Sequence, residues 1–137
     1  MIQTKCACTR VRRAARLLTD NYDEALKPLG LKVTQFSLLR TVARMETPSL
    51  TALAQAMALD RSTLGRNVAV LQRAGLVDLS EGGDLRERTV SLTSQARRLL
   101  ARAIPRWEEA QHRVDRTLGK QGVSTLFELL GRLEALR

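Results

Sequence analysis

The feature that most restricts this chain is a change of hydrophobic period just after Gly75. Before it, apolar residues recur every three or four positions, which is the spacing of a helix face. After it come two short alternating stretches, 76–79 (Leu-Val-Asp-Leu) and 89–92 (Thr-Val-Ser-Leu), separated by the polar, glycine-bearing run 81–88. Two short strands around such a turn make a β-hairpin. The helical period then returns from Thr93 to the end. Few architectures bury every face of a chain ordered as helices, hairpin and long helix.

The individual segments follow from their stripes and caps. Over 9–26, Val11, Ala14, Leu18, Tyr22 and Ala25 share one helix face, while Arg10, Arg12, Arg13 and Arg16 occupy the rest. Pro28 and Gly30 end that helix. Thr34 is the expected N-cap of a second helix running to Met45, with Phe36, Leu39, Val42 and Ala43 inward. A third, over 51–57, turns Leu53, Ala54 and Met57 inward. Asp60 caps a fourth over 61–73, whose buried stripe is Leu64, Val68 and Leu71, and Gly75 stops it. The long helix from Thr93 carries Ala96, Leu100, Ala103, Trp107, Ala110, Val114 and Leu118. Pro105 predicts a kink over 101–104. Gly119 and Gly122 are expected to separate a last helix bearing Leu126, Leu129, Leu130, Leu133 and Leu136. The fold class is therefore mainly α with a small β-hairpin wing.

Composition narrows the function. At 137 residues the chain fits one domain. With one Trp, one Tyr and two Phe, its core must come from Leu, Val and Ala, which suits helices. Lys plus Arg outnumber Asp plus Glu by 23 to 14, and Arg dominates the surplus. Its planar fork of donors matches phosphates and guanine edges. A basic balance suits an acidic membrane equally well. No apolar run approaches the roughly 18 residues that cross a bilayer, however, and the first residues lack a secretory stretch. No membrane partner is expected. Cys6 and Cys8 form no disulfide framework, so the cytoplasm is the expected compartment. Neither a Gly-rich phosphate loop nor a nucleophile–base pairing is present, and His112 is the single histidine. Enzymatic activity, cofactors and metal are not expected.

The ordered run 34–92 carries the functional expectation. Short helices joined by a tight turn place the second of the pair in the DNA major groove. Here that helix offers Arg61, Ser62 and Thr63 in its first turn, where the positive helix end favours phosphate. Arg66 and Asn67 come one turn later. Arg reads guanine and Asn reads adenine, each contributing about 1–3 kcal/mol of discrimination. On the hairpin, Arg86 and Arg88 stand two apart and share a face. One is suited to the narrow minor groove, with Asp84 bracing a guanidinium. Two other readings remain open at this level. One is an architectural protein that grips phosphates without base preference. The other is a module whose leucine-rich ends recruit a different protein. A terminal leucine stripe has little of its own chain to cover it, and the terminal helices of a second copy would do so.

Leu53-Ala54-Gln55-Ala56-Met57-Ala58-Leu59-Asp60-Arg61-Ser62-Thr63-Leu64, then Leu71-Gln72-Arg73-Ala74-Gly75-Leu76-Val77, is similar to the core pattern of the MarR family. Asp84-Leu85-Arg86-Glu87-Arg88 resembles the family's wing motif, Leu92-Thr93 resembles the pair that succeeds the wing, and Pro105 and Trp107 fit a segment of its long helix. The resemblance covers nearly all of 1–137 as a single domain. It implies a winged helix-turn-helix lobe over 34–92 and dimerisation helices over 9–27 and 93–137. The interface would include Val11, Leu18, Leu126, Leu129, Leu130 and Leu133. It further implies a homodimer on a palindromic operator in double-stranded DNA. Members usually repress transcription and let go on binding a small phenolic ligand or on cysteine oxidation. Recognition roles fall on Ser62, Thr63, Arg66 and Asn67, and wing roles on Asp84, Arg86 and Arg88. The chain departs from the pattern at Asp78-Leu79, where many members are basic, and at Ala96, where glycine is common.

Cys6 and Cys8 have two readings. Nearby Lys5, Arg10 and Arg12 favour the thiolate, the form that attacks peroxide, so the pair would act as a redox or thiophilic sensor. Alternatively, both simply pack the start of a helix. His112 reads as a surface residue and Trp107 as core or interface. Tyr22 is placed to line a cleft between the dimerisation and DNA-binding lobes.

Overall fold

The computed structural model describes residues 3–81, 84 and 87–136. Along the chain run α1 (Ala7–Leu26), a 3-10 turn (Lys27–Leu29), α2 (Val33–Met45), α3 (Leu50–Met57), α4 (Arg61–Arg73), β1 (Val77–Leu79), β2 (Val90–Leu92) and α5 (Ser94–Glu134). The expected class, mainly helical with one small antiparallel hairpin, is what forms.

One core joins these elements. Leu39 and Val42 of α2, Leu53 of α3, and Leu64, Val68 and Leu71 of α4 meet Val77 and Val90 of the hairpin, all at 1% exposure or less. Ala96, Leu100 and Ala103 close it from α5. Each leucine buried this way contributes about 1.5–3 kcal/mol, and small alanines let α5 approach closely. Ser49 caps α3 by accepting the Ala52 N–H at 3.0 Å. Ala58 then takes left-handed dihedrals (φ 53°, ψ 41°), and Leu59 N–H returns to Ala54 O at 3.0 Å. This turn ends α3 and leads into α4, which packs against it. The strands pair Val77 with Leu92 and Leu79 with Val90. Leu50 N–H donates to Arg88 O at 3.0 Å and Val90 N–H to Pro48 O at 2.9 Å, tying the start of α3 to the hairpin.

Three local expectations are corrected. The N-cap of α2 is Lys32, and Thr34 lies inside the first turn. The reason is a partner distant in sequence: Val33 N–H donates to Asp23 Oδ1 of α1 at 2.7 Å, while Lys32 N–H is satisfied by Gln35 Oε1 at 3.0 Å. Ala43, expected inward, is exposed, one residue past the buried Val42. In α5, residues 101–104 keep helical dihedrals despite Pro105, and Gly122 is helical too. The break falls at Gly119 alone (φ 74°, ψ 163°). The carbonyl that Pro105 leaves without an N–H belongs to the exposed Ala101, where water can replace the missing bond.

Candidate nucleic-acid interface

Burial of Leu64, Val68 and Leu71 orients α4. At about 100° per residue, the side opposite that stripe carries Ser62, Arg66 and Arg73, all exposed. Arg61 is exposed on the leading turn. Asp60 caps the helix: Thr63 N–H donates to its Oδ2 at 3.0 Å and the Thr63 hydroxyl to its Oδ1 at 2.6 Å. The hydroxyl also accepts from Arg66 Nη2 at 3.3 Å. The Thr63 hydroxyl first, then the Thr63 N–H and more weakly Arg66, hold the Asp60 carboxyl below its ordinary range. A charged cap thus sits beside the arginine on the outward face.

Not every expected reader stands on that face. Asn67 is exposed but turned aside, lining a groove with Lys32, Thr34 and Gln35 at the start of α2. Thr63 is half-buried, and its hydroxyl proton is committed to Asp60. Arg73, absent from the expected set of readers, lies on the outward face. Counting eleven residues on from Ser62, three helical turns, would have found it.

On the hairpin, Arg88 is half-buried and donates its Nε–H to Ser80 O at 2.7 Å. Around it, Ser80 N–H donates to Thr89 O at 3.0 Å and Thr89 N–H to Ser80 Oγ at 2.8 Å. Arg88 therefore braces the base of the wing. Asp84 is exposed at the turn, where its carbonyl accepts the Glu87 N–H at 3.0 Å. Arg86 lies outside the described residues.

The other end of the molecule is apolar at its surface. Val11, Leu129, Leu130 and Leu133 are 42%, 47%, 37% and 49% exposed, and Leu17 and Phe127 more so. Leu18 and Leu126 are half-buried and line a groove between α1 and α5 with Leu17, Val114 and Leu118. Cys6 and Cys8 are free and exposed ahead of and within the first turn of α1. The Thr9 hydroxyl, then its N–H, lowers the Cys6 thiol below its ordinary value.

Between the two ends, Trp107 stacks on Tyr22 and Phe36 with centroids 6.1 and 6.0 Å away. Arg40, also absent from the expected residues, sets its guanidinium 5.6 Å from the Phe36 ring centroid. Among the described residues, no group of three His, Cys, Asp or Glu is placed to hold a metal ion, and no helix is long and apolar enough to cross a membrane.

Three helices closing on an antiparallel hairpin, with the last of them presented outward, define a winged helix-turn-helix protein. The MarR family's sequence profile matches residues 29–87. The transcriptional regulator MosR of M. tuberculosis, whose structure was solved in complex with DNA, is 37% identical; the alignment covers 97% of this chain and 99% of that one, with a TM-score of 0.83. An uncharacterized HTH-type transcriptional regulator of Bacillus subtilis, YwoH, is 30% identical over 90 residues, a match spanning 64% of each protein. BpsR of Bordetella bronchiseptica shares the fold at a TM-score of 0.86 and 20% identity over the whole of this chain. The chain belongs to the MarR family, whose members are regulators rather than enzymes.

Proposed function

We propose that this chain is a homodimeric transcriptional repressor that reads a palindromic operator in double-stranded DNA and lets go when Cys6 and Cys8 are oxidised. The observation that carries the DNA reading is the outward face of α4, where Ser62, Arg66 and Arg73 stand opposite the buried stripe. A helix so presented fits the major groove, with Arg66 on a base edge and Arg61, Ser62 and Arg73 on phosphates. Asn67 contributes from the flank. The wing contacts to DNA are assigned to Asp84 and Arg86, with Arg88 bracing the base of the hairpin through Ser80 O. The identity to MosR, a protein solved with DNA, supports the same assignment.

Dimerisation falls to 9–27 and 93–137. The exposed Val11, Leu129, Leu130 and Leu133, with Leu18 and Leu126 beside them, suit burial against a second copy. Twofold symmetry then sets the half-sites about 34 Å apart. Exposed thiols at the start of α1 favour release by oxidation over release by a phenolic ligand. A Cys6 thiolate attacks hydrogen peroxide, forming a sulfenic acid and expelling hydroxide. A second thiol, from Cys8 or the partner copy, condenses with it to a disulfide and water.

The test is selection of bound duplexes from a random DNA pool, using reduced protein with and without peroxide. A palindrome enriched by reduced protein alone supports the whole reading. Enrichment in both pools keeps the regulator and moves the signal to a ligand. No enriched sequence in either pool overturns the sequence-specific reading in favour of an architectural one. On the selected site, Arg66→Ala should relax preference at one base pair per half-site, and Arg88→Ala should weaken binding to all sequences.

A further inference from the structure

We propose that Thr63 is a positioning residue for base reading, which holds the Arg66 guanidinium through its hydroxyl while leaving the DNA contact to Arg66. The inference deepens the DNA-reading proposal and rests on it.

The geometry is a relay along one side of α4. Asp60, Thr63 and Arg66 are spaced by three residues each, so successive side chains lie within reach on neighbouring turns. The Thr63 hydroxyl has one proton and two lone pairs. Its proton goes to Asp60 Oδ1 at 2.6 Å, a charge-assisted bond. That fixes the rotor, and a lone pair then receives Arg66 Nη2 at 3.3 Å. A separate bond, Thr63 N–H to Asp60 Oδ2 at 3.0 Å, caps the helix without the hydroxyl. The backbone bond of the cap therefore survives loss of the hydroxyl, which bridges Asp60 and Arg66.

Orientation matters because arginine is long and rotamer-rich. An arginine held beforehand loses less freedom when it meets a base, and a fixed fork reads one base edge better than its neighbours. Thr63 is half-buried, and its hydroxyl is already engaged by both Asp60 and Arg66. The Asp60 charge also disfavours a phosphate oxygen at Thr63, whereas it attracts a guanidinium.

The experiment measures Kd on the selected operator and on each single-base-pair variant of it. The proteins are wild type, Thr63→Val, Thr63→Ser, Arg66→Ala and the Thr63→Val/Arg66→Ala double mutant. Thr63→Val keeps the backbone N–H that caps the helix, and thermal melts check that it folds. It should lose about 5-fold or more discrimination at the base pair that Arg66→Ala affects, and little elsewhere. Thr63→Ser should restore it, and the double mutant should match Arg66→Ala. Additive losses in the double mutant would overturn the relay, because Thr63 would then act by itself. So would a uniform loss on every duplex, the mark of a direct phosphate contact. If wild type shows no preference among the duplexes, the DNA-reading proposal itself fails and takes the relay with it.

Discussion

Asp23 Oδ1 accepts the backbone N–H of Val33 at 2.7 Å, so a carboxylate on α1 caps the first turn of α2. The bond runs from the proposed dimerisation helix to the first helix of the winged lobe, and it satisfies an N–H that α2 cannot pair internally. Other bonds tie α1 to α5: Asn21 Nδ2 donates to Ala110 O at 3.1 Å, and Asn21 Oδ1 accepts from Arg113 Nε at 3.0 Å. The lobe is thus held to α1 by a polar contact as well as by the shared core, and α1 is in turn held to α5.

Asp23→Ala should lower stability by about 1 kcal/mol, the usual effect of losing a helix cap. Urea unfolding of the two proteins checks this. An unchanged midpoint would mean that water replaces the carboxylate at no loss. Asp23→Asn, which keeps an accepting oxygen, should recover most of the difference.

At Gly119 the backbone sits at φ 74°, ψ 163°, a region open almost exclusively to glycine. A Cβ there would meet nothing within 4 Å, so Gly119→Ala tests backbone strain alone. Its expected cost is about 1–3 kcal/mol, or else a straightened α5 that carries Leu129, Leu130 and Leu133 to a new position. A melting curve reads the first effect and sedimentation the second, as a weakened dimer.

Ala58 has the opposite problem, an alanine where φ is 53° at the turn into α4. Replacing it with glycine removes the Cβ clash of the left-handed conformation and adds unfolded-state entropy. The net gain should be about 0.5–1 kcal/mol, seen as a raised Tm. Ala58→Val, with a branched Cβ, should lower it instead.

Burial first, and the Asp115 carboxylate second, push the Tyr22 phenol above its ordinary value. A raised acid favours its neutral form in the folded state. The resulting stability is therefore full below the ordinary tyrosine range and is lost as pH rises through the raised value. Tyr22→Phe, which also loses the hydroxyl bond to Gln111, should be less stable at neutral pH yet decline less steeply on the alkaline side. Chemical unfolding from pH 8 upward compares the two slopes. Parallel slopes would remove Tyr22 from the alkaline limb.

Much of the lobe was legible because its signals are local. Asp60 caps α4, Leu64, Val68 and Leu71 form its buried stripe, and 77–79 pairs with 90–92, all as periodicity and cap chemistry indicate. The start of α2 was not legible, because Thr34 is a good cap in isolation, whereas the cap in use comes from Asp23, ten residues upstream in another helix. The break at Gly119 was legible as a glycine between two apolar stripes, whereas the solvent exposure of Ala101, which lets the helix run on through Pro105, is not visible in the sequence. The residues expected to read DNA divided similarly. Arg66 stands where the stripe puts it, while Asn67 turns toward the start of α2 and Arg88 toward Ser80 O.

The sequence by itself determined which segments are helix and which are strand, which face of each is apolar, and hence that a basic helix must face outward. Those properties depend on neighbours three or four residues away, or two in a strand, so they survive without knowledge of the fold. Tertiary structure decided which polar groups find partners: Asp23 with Val33, Thr63 between Asp60 and Arg66, Arg88 with Ser80. A hydrogen bond is made or lost within about half an ångström. Only the packed arrangement of the elements sets distances that finely.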